Sequence, residues 1–125
     1  MTILMLGRQL ELGHYRAEFL QSYGIYVVFP ESKPEAEAAV HAGGYDAILL
    51  SYTLSKETTQ ELLSQIERYC HDCPIIAIVQ QGNDLTFKPA ETILDTDPPK
   101  MLLEAIKRVQ VRLLEKEKSE FPKSA

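Results

Sequence analysis

The residues of this chain whose types and spacing suit chemistry fall in two places. The first is Ser51, a hydroxyl that ends the apolar run Ala47-Ile48-Leu49-Leu50 and precedes a polar, helix-starting stretch. Such a run reads as a strand buried on both faces, at the centre of a parallel sheet. In open parallel sheets, chemistry sits just beyond the carboxyl ends of the strands, and Ser51 occupies that position. A serine hydroxyl is neutral and needs a base to activate it. The second place is Cys70-His71-Asp72-Cys73, whose CxxC spacing suits zinc, thiol redox chemistry or ordinary loop thiols. A structural zinc site takes four ligands, and the sequence holds no second CxxC pair. His41 also leads into a strand, so any metal set would draw on Cys70, His71, Cys73 and His41. Redox use wants the first cysteine at a helix N-terminus, and this one follows a helix. The expectation is ordinary thiols with no metal and no cofactor. His14 has no sequence-near acid or nucleophile and reads as a surface residue.

These residues need elements to position them. Thr2 to Leu6 is a continuous apolar run, hence a strand, broken by Gly7-Arg8-Gln9. Leu12, Tyr15, Phe19 and Tyr23 recur at helical spacing over Leu10 to Tyr23, with Gly24 as a stop. Ile25 to Phe29 is a second strand, closed by Pro30. Ser32-Lys33-Pro34-Glu35 has capping-box spacing, and Ala36, Ala39 and Val40 form the helical face behind it, up to Gly43-Gly44. After the strand ending at Ser51, a helix starts at Ser55 or Thr58 and buries Leu62, Leu63, Ile66 and Tyr69. Ile75 to Val79 and Thr92 to Leu94 are further strands. Asp97-Pro98-Pro99 reads as an N-cap with prolines in the first turn of a long helix lined by Leu102, Ile106, Val109 and Leu113. Gln80 to Pro89 is too polar and aperiodic for a helix.

Strands alternating with helices imply a parallel, doubly wound sheet. With about five such units, the layout matches the flavodoxin-like strand order 2-1-3-4-5. At 125 residues the chain forms one domain, expected over residues 1–118 with the last helix over 99–118 and a flexible tail over 119–125. A formal net charge of −5 argues against nucleic-acid binding. No apolar run approaches the roughly 18 to 20 residues that span a bilayer, and the N-terminus lacks a basic signal-peptide region. The protein is expected to be cytoplasmic.

Tyr45 to Leu50, Pro74 to Val79 and Pro99 to Val109, in this order and spacing, resemble the receiver domain of bacterial response regulators. The resemblance covers Thr2 to about Lys116. It implies a three-layer α/β/α fold and a place in two-component or phosphorelay signalling. Similar proteins phosphorylate a central Asp. They hold Mg²⁺ with acidic residues after the first strand, place a Thr or Ser after the fourth, and place a Lys after the fifth. Here the acceptor position reads Ser51, the acidic pair reads Gly7 and Arg8, the hydroxyl position reads Val79, and the Lys position reads Asp95. Mg²⁺ needs oxygen ligands, preferably carboxylates, and none stands at the Gly7–Arg8 position.

The resemblance therefore implies an atypical receiver (a pseudo-receiver), not an enzyme, without Asp phosphorylation and acting through a protein partner. Arg8 and Asp95 either face each other as an ion pair, or Arg8 is solvated. The helix that relatives carry after the fourth strand is expected to be reduced or missing. Leu85 and Phe87 then either fold back over the sheet edge or meet a partner. Tyr52 is a further candidate contact. Val111 and Leu114 broaden the apolar face of the last helix, which suits a homodimer or an overhanging helix; no output domain is expected to follow, and any signal is expected to leave by binding. Two other readings stand beside this one. The chain is a small-molecule or cofactor binder on a flavodoxin-like fold, or it accepts phosphoryl on Asp46 or Asp95.

Overall fold

The computed structural model describes residues 1–82 and 85–120. The elements run β1 (Thr2–Leu6), α1 (Leu10–Gln21), β2 (Tyr26–Val28), α2 (Lys33–Ala42), β3 (Ala47–Ser51), α3 (Lys56–Tyr69), β4 (Ile75–Val79), β5 (Glu91–Leu94) and α4 (Pro99–Glu120). All strand pairs are parallel, in the order β2-β1-β3-β4-β5. This is the expected flavodoxin-like sheet with helices on both faces. Every residue of β3 is buried, as its unbroken apolar run requires. Alternate side chains feed two cores. Ile3, Met5, Leu49, Ile76 and Ile78 pack under α1 and α4. Leu4, Leu6, Ile48 and Leu50 pack under α2 and α3.

Hydroxyl caps start two of the helices. Ser32 Oγ accepts from the Glu35 amide at 3.3 Å, and Ser55 Oγ accepts from the Thr58 amide at 3.1 Å. Ser55 thus begins α3. Glu61 forms an ion pair with Lys33 across to α2. Asp97 is no helix cap: its carboxylate turns back and accepts from the Leu94 amide at 2.8 Å, closing the β5–α4 turn. The last helix reaches Glu120, two residues past the expected end at Lys118; the rest of the expected tail lies outside the described residues.

The buried face of α1 is not the expected one. Gly13, Ala17 and Leu20 face the core, while Tyr15 and Tyr23 are more than half exposed. The reason lies at Gly13. A Cβ there would fall 2.1 Å from the Phe29 ring, so the ring seats where only a glycine leaves room. The small residues let α1 sit close to the sheet, and the tyrosines turn outward.

Between β4 and β5 no helix occurs among the described residues. The expected loss of that element is observed. Phe87 folds back against the core under α2 and α3, near Leu50 and Leu54, while Leu85 stays exposed.

The edge strand β5 is held by charge. The Glu91 carboxylate accepts from Arg108 Nε at 2.7 Å and from Arg112 at 2.5 Å. Burial alone would raise the Glu91 pKa, and the two arginines outweigh it, so the carboxyl is held below its usual range. A depressed carboxylate pKa stabilises the fold above the unfolded-state pKa, and the contribution is lost as pH falls through the folded-state value. Glu91→Gln is expected to cost about 1 kcal/mol at neutral pH, because both arginines are half exposed and rehydrate. Urea unfolding at neutral and acidic pH checks this: the gap between wild type and variant should close in acid.

Candidate functional site at the carboxyl ends of the strands

The register assembles the site. Leu6 pairs with Leu50, Ser51 with Ile78, and Val79 with Leu94. Gly7, Ser51, Val79 and Asp95 therefore line up along one edge of the sheet. The Tyr52 amide donates to the Ile78 carbonyl at 2.9 Å, and the Asp95 amide donates to the Val79 carbonyl at 2.8 Å.

At its centre is a chain of hydroxyls. The Arg8 amide donates to Thr53 Oγ1 at 2.8 Å. The Thr53 hydroxyl donates to Ser51 Oγ at 3.1 Å, and the Thr53 amide donates to the same oxygen at 3.3 Å. Ser51 is 5% exposed. Among the described residues no imidazole or carboxylate hydrogen-bonds to Ser51 Oγ, so nothing there activates it as a nucleophile. Gly7 closes the space from the other side: a Cβ on it would lie 3.2 Å from both Ser51 Cβ and Thr53 Oγ1.

Mg²⁺ does not fit these residues. Its ligands should be oxygens with carboxylates among them, and the loop after β1 offers a glycine and a cation. Among the described residues no group of three His, Cys, Asp or Glu side chains could hold a metal ion anywhere in the fold.

The charges at the edge differ from the expected pair. Arg8 is exposed and lines a cleft of about 410 Å³ between the starts of α2 and α3, together with Lys33, Ser32 and Ser55. Among the described residues it makes no ion pair with Asp95. The solvated alternative describes Arg8. The cation near Asp95 is Arg16, on α1. Burial pushes the Arg16 pKa down, and Tyr52 and Asp95 act the other way. Arg16 faces Ser51 on one side and Asp95 on the other. Arg8→Ala is expected to leave stability within about 0.5 kcal/mol of wild type, whereas Arg16→Met and Asp95→Asn should couple by about 0.5 to 1 kcal/mol. Denaturation of the single and double variants measures both.

Thr53 and Arg16 were not legible as site residues. Thr53 stands two positions past Ser51 in a polar run, and only the turn brings its hydroxyl back. Arg16 follows Leu12 by one helical turn, a spacing that places it on the face towards the strand ends. Val79 is buried, and Tyr52 is half-buried against the α1–α4 core.

The CxxC segment does not converge with the histidines. The Cys70 thiol donates to the Val40 carbonyl at 3.2 Å, and the Cys73 thiol donates to the Tyr45 carbonyl at 3.0 Å. The His41 ring stacks on Tyr69 with centroids 4.1 Å apart, and His71 pairs with its neighbour Asp72. Burial raises the Cys70 pKa and, with Cys70 beside it, pushes Cys73 up to about 11. These are protonated donors that tie the end of α3 to α2 and to the foot of β3. Cys73 is expected to react with a thiol reagent at neutral pH more than about tenfold slower than free cysteine, because the thiolate is the reactive form. The rate, followed by absorbance, should still be rising well above the ordinary thiol pKa.

No family model matches the sequence, and no curated protein matches it. Solved structures do match the fold. The chain is similar to a two-component response regulator from Clostridium difficile, at 19% identity over 90% of this chain and 98% of that one, with a TM-score of 0.77. It is similar to the response regulator protein TrrA from Thermotoga maritima in complex with Mg²⁺ and BeF, at 21% identity over 86% and 97% of the two chains, with a TM-score of 0.73. A structure of histidine kinase ThkA in complex with TrrA matches at 20% identity over 86% and 97%, with a TM-score of 0.72. The class that the sheet order and these likenesses define is the receiver-type, flavodoxin-like fold.

Proposed function

We propose that this chain is an atypical receiver of the two-component signalling type, which does not take phosphoryl on an aspartate and acts through phosphate-independent contacts with a protein partner. One observation carries the reading. Where a receiver keeps its acceptor and metal-binding acids, this chain packs Gly7 against Ser51 and Thr53 and links them by hydrogen bonds to the Arg8 amide. The arrangement is suited to holding two loops together, not to transferring a charged group. Asp46 offers no substitute acceptor, since its carboxylate accepts from the Thr2 amide at 2.7 Å at the opposite end of the sheet. Asp95 sits at the correct end, beside Arg16; the Asp97 carboxylate near it accepts from the Leu94 amide, and among the described residues no group of three His, Cys, Asp or Glu side chains could hold a metal.

A signalling partner is supported by the fold, since TrrA is seen in complex with a histidine kinase. On this chain Tyr52 and Leu85 flank the Ser51 edge and are the contacts we assign to a partner; Phe87 is spent mainly on the core. Val111 and Leu114, each about half exposed on α4, are the surface for a second copy. No described helix is long and apolar enough to cross a membrane, and we place the protein in the cytoplasm.

Incubation with acetyl phosphate and Mg²⁺, followed by intact-mass measurement, tests the reading. It requires no phosphoryl adduct. An adduct cleaved by hydroxylamine, as an acyl phosphate is, would overturn it.

A further inference from the structure

Leu12, Tyr15 and Phe19 recur at core spacing along α1, with Tyr23 just beyond its end, and the fold leaves that stripe largely bare. Tyr15 and Tyr23 are 58% and 59% exposed, and Phe19 holds its ring 5.2 Å from the Tyr23 ring. α4 packs on the same core beside α1. Arg108 and Arg112 turn to Glu91 on the edge strand. Lys100, Lys107, Val111 and Leu114 share, by helical spacing, the opposite flank, towards α1; Val111 and Leu114 are half exposed there. Apolar residues scattered singly need no partner, whereas a patch built by two adjoining helices marks an interaction surface. Its charges are sorted. Glu11 and Glu18 flank Tyr15 on α1, and the cations stand on α4. All four charged residues are exposed, and among the described residues none of them is in an ion pair.

We propose that this face joins two copies of the chain about a two-fold axis parallel to α1 and α4, so that α1 of each copy lies along α4 of the other. The proposal rests on the reading of Val111 and Leu114 as the surface for a second copy, and adds α1 as their counterpart. The register of the charges carries it. Glu11 and Glu18 are the second and ninth residues of α1, and Lys100 and Lys107 are the second and ninth of α4. Both helices start beyond the carboxyl ends of strands and run back along the parallel sheet, so they point the same way. They start at one level, since Leu12 and Leu102 line a common cleft. An axis parallel to the helices keeps direction and level. It sets Glu11 against the partner's Lys100 and Glu18 against the partner's Lys107, with the aromatic stripe and the aliphatic pair between them. Packing α1 on α1 would set acid against acid, and α4 on α4 lysine against lysine. Burial of the tyrosines supplies the attraction, and the charges select the arrangement.

The test is sedimentation equilibrium of the full chain over a range of concentrations. A dimer is expected, weakened by added salt. Glu18→Lys and Lys107→Glu should each weaken it about tenfold, because either one replaces two attractive pairs of a symmetric dimer by two repulsive ones. The double variant should regain the wild-type affinity, since the pairs re-form with their signs exchanged. Both positions are exposed, so the variants keep the fold. Carbodiimide, which condenses a carboxylate with an amine, should link Glu18 to the partner's Lys107 in the covalent dimer. A dimer that the single reversals leave intact, or that the double variant does not restore, would overturn this arrangement alone. A chain that stays monomeric at every concentration would overturn it together with the surface assigned to a second copy. No arm contains Mg²⁺ or a phosphodonor, so the outcome is independent of the reading of Ser51.

Discussion

Ser51→Asp is expected to destabilise the protein by about 2 kcal/mol at neutral pH and to restore no phosphoryl chemistry. The substitution puts back the side chain that the receiver pattern carries, into a site that is 5% exposed and already filled by the Thr53 hydroxyl. Two Thr53 donors and the nearby Arg16 offset part of the cost of burying a charge. They do not hold a metal, because Gly7 and Arg8 still replace the acids that would. The penalty follows from a carboxylate disfavoured in its charged form, so it should shrink as pH falls and the group takes up a proton. Chemical denaturation of the variant checks all three points. Its midpoint should lie below wild type, recover in acid, and not move when millimolar Mg²⁺ is added. Recovery by Mg²⁺ at neutral pH would show a metal site that the residues on this edge do not provide.

Phe87→Ala should cost a similar amount, about 2 kcal/mol, below the roughly 3 to 5 kcal/mol of a fully buried aromatic truncation because the ring is half-buried. Phe87 does part of the work of the missing helix, packing against the core that contains Leu50 and Leu62. Removing it would widen the cleft beside Ala77 and Val79, both buried in wild type. Leu85→Ala, at an exposed position on the same segment, should change stability by no more than about 0.5 kcal/mol. Parallel denaturation of the two variants separates them. Equal small effects would mean that Phe87 does not cover the sheet.

The sheet was legible because β1, β3 and β4 are continuous apolar runs, which only a position buried on both faces demands. Their alternation with helical stretches implies a parallel sheet, and the number of units matches the flavodoxin-like order that the structure has. The cap at Ser32 was legible from a different signal, the Ser-x-x-Glu spacing of Ser32 and Glu35 with Pro34 in the first turn. The face of α1 was not. Helical spacing of Leu12, Tyr15, Phe19 and Tyr23 is real, but the seating of Phe29 against Gly13 is a tertiary contact, and it turned the tyrosines to solvent. An Asp before proline usually caps a helix, but the turn at Leu94 claims the Asp97 carboxylate first. At the site, the positions Gly7, Ser51, Val79 and Asp95 were legible as neighbours from the strand ends alone. Their bonding was not, since Thr53 and Arg16 reach the edge from a turn and from a helix whose geometry the sequence leaves open.

The most direct measurement of the central claim is the amide NMR spectrum of the wild-type chain with and without Mg²⁺ and beryllofluoride, a phosphoryl mimic that needs an acceptor carboxylate. With Ser51 held by Thr53 and no acid at Gly7 or Arg8, the spectrum should be unchanged. Shifts appearing together at Ser51, Val79 and Asp95 would mean that a phosphoryl switch survives on this edge with different residues, and would contradict the account.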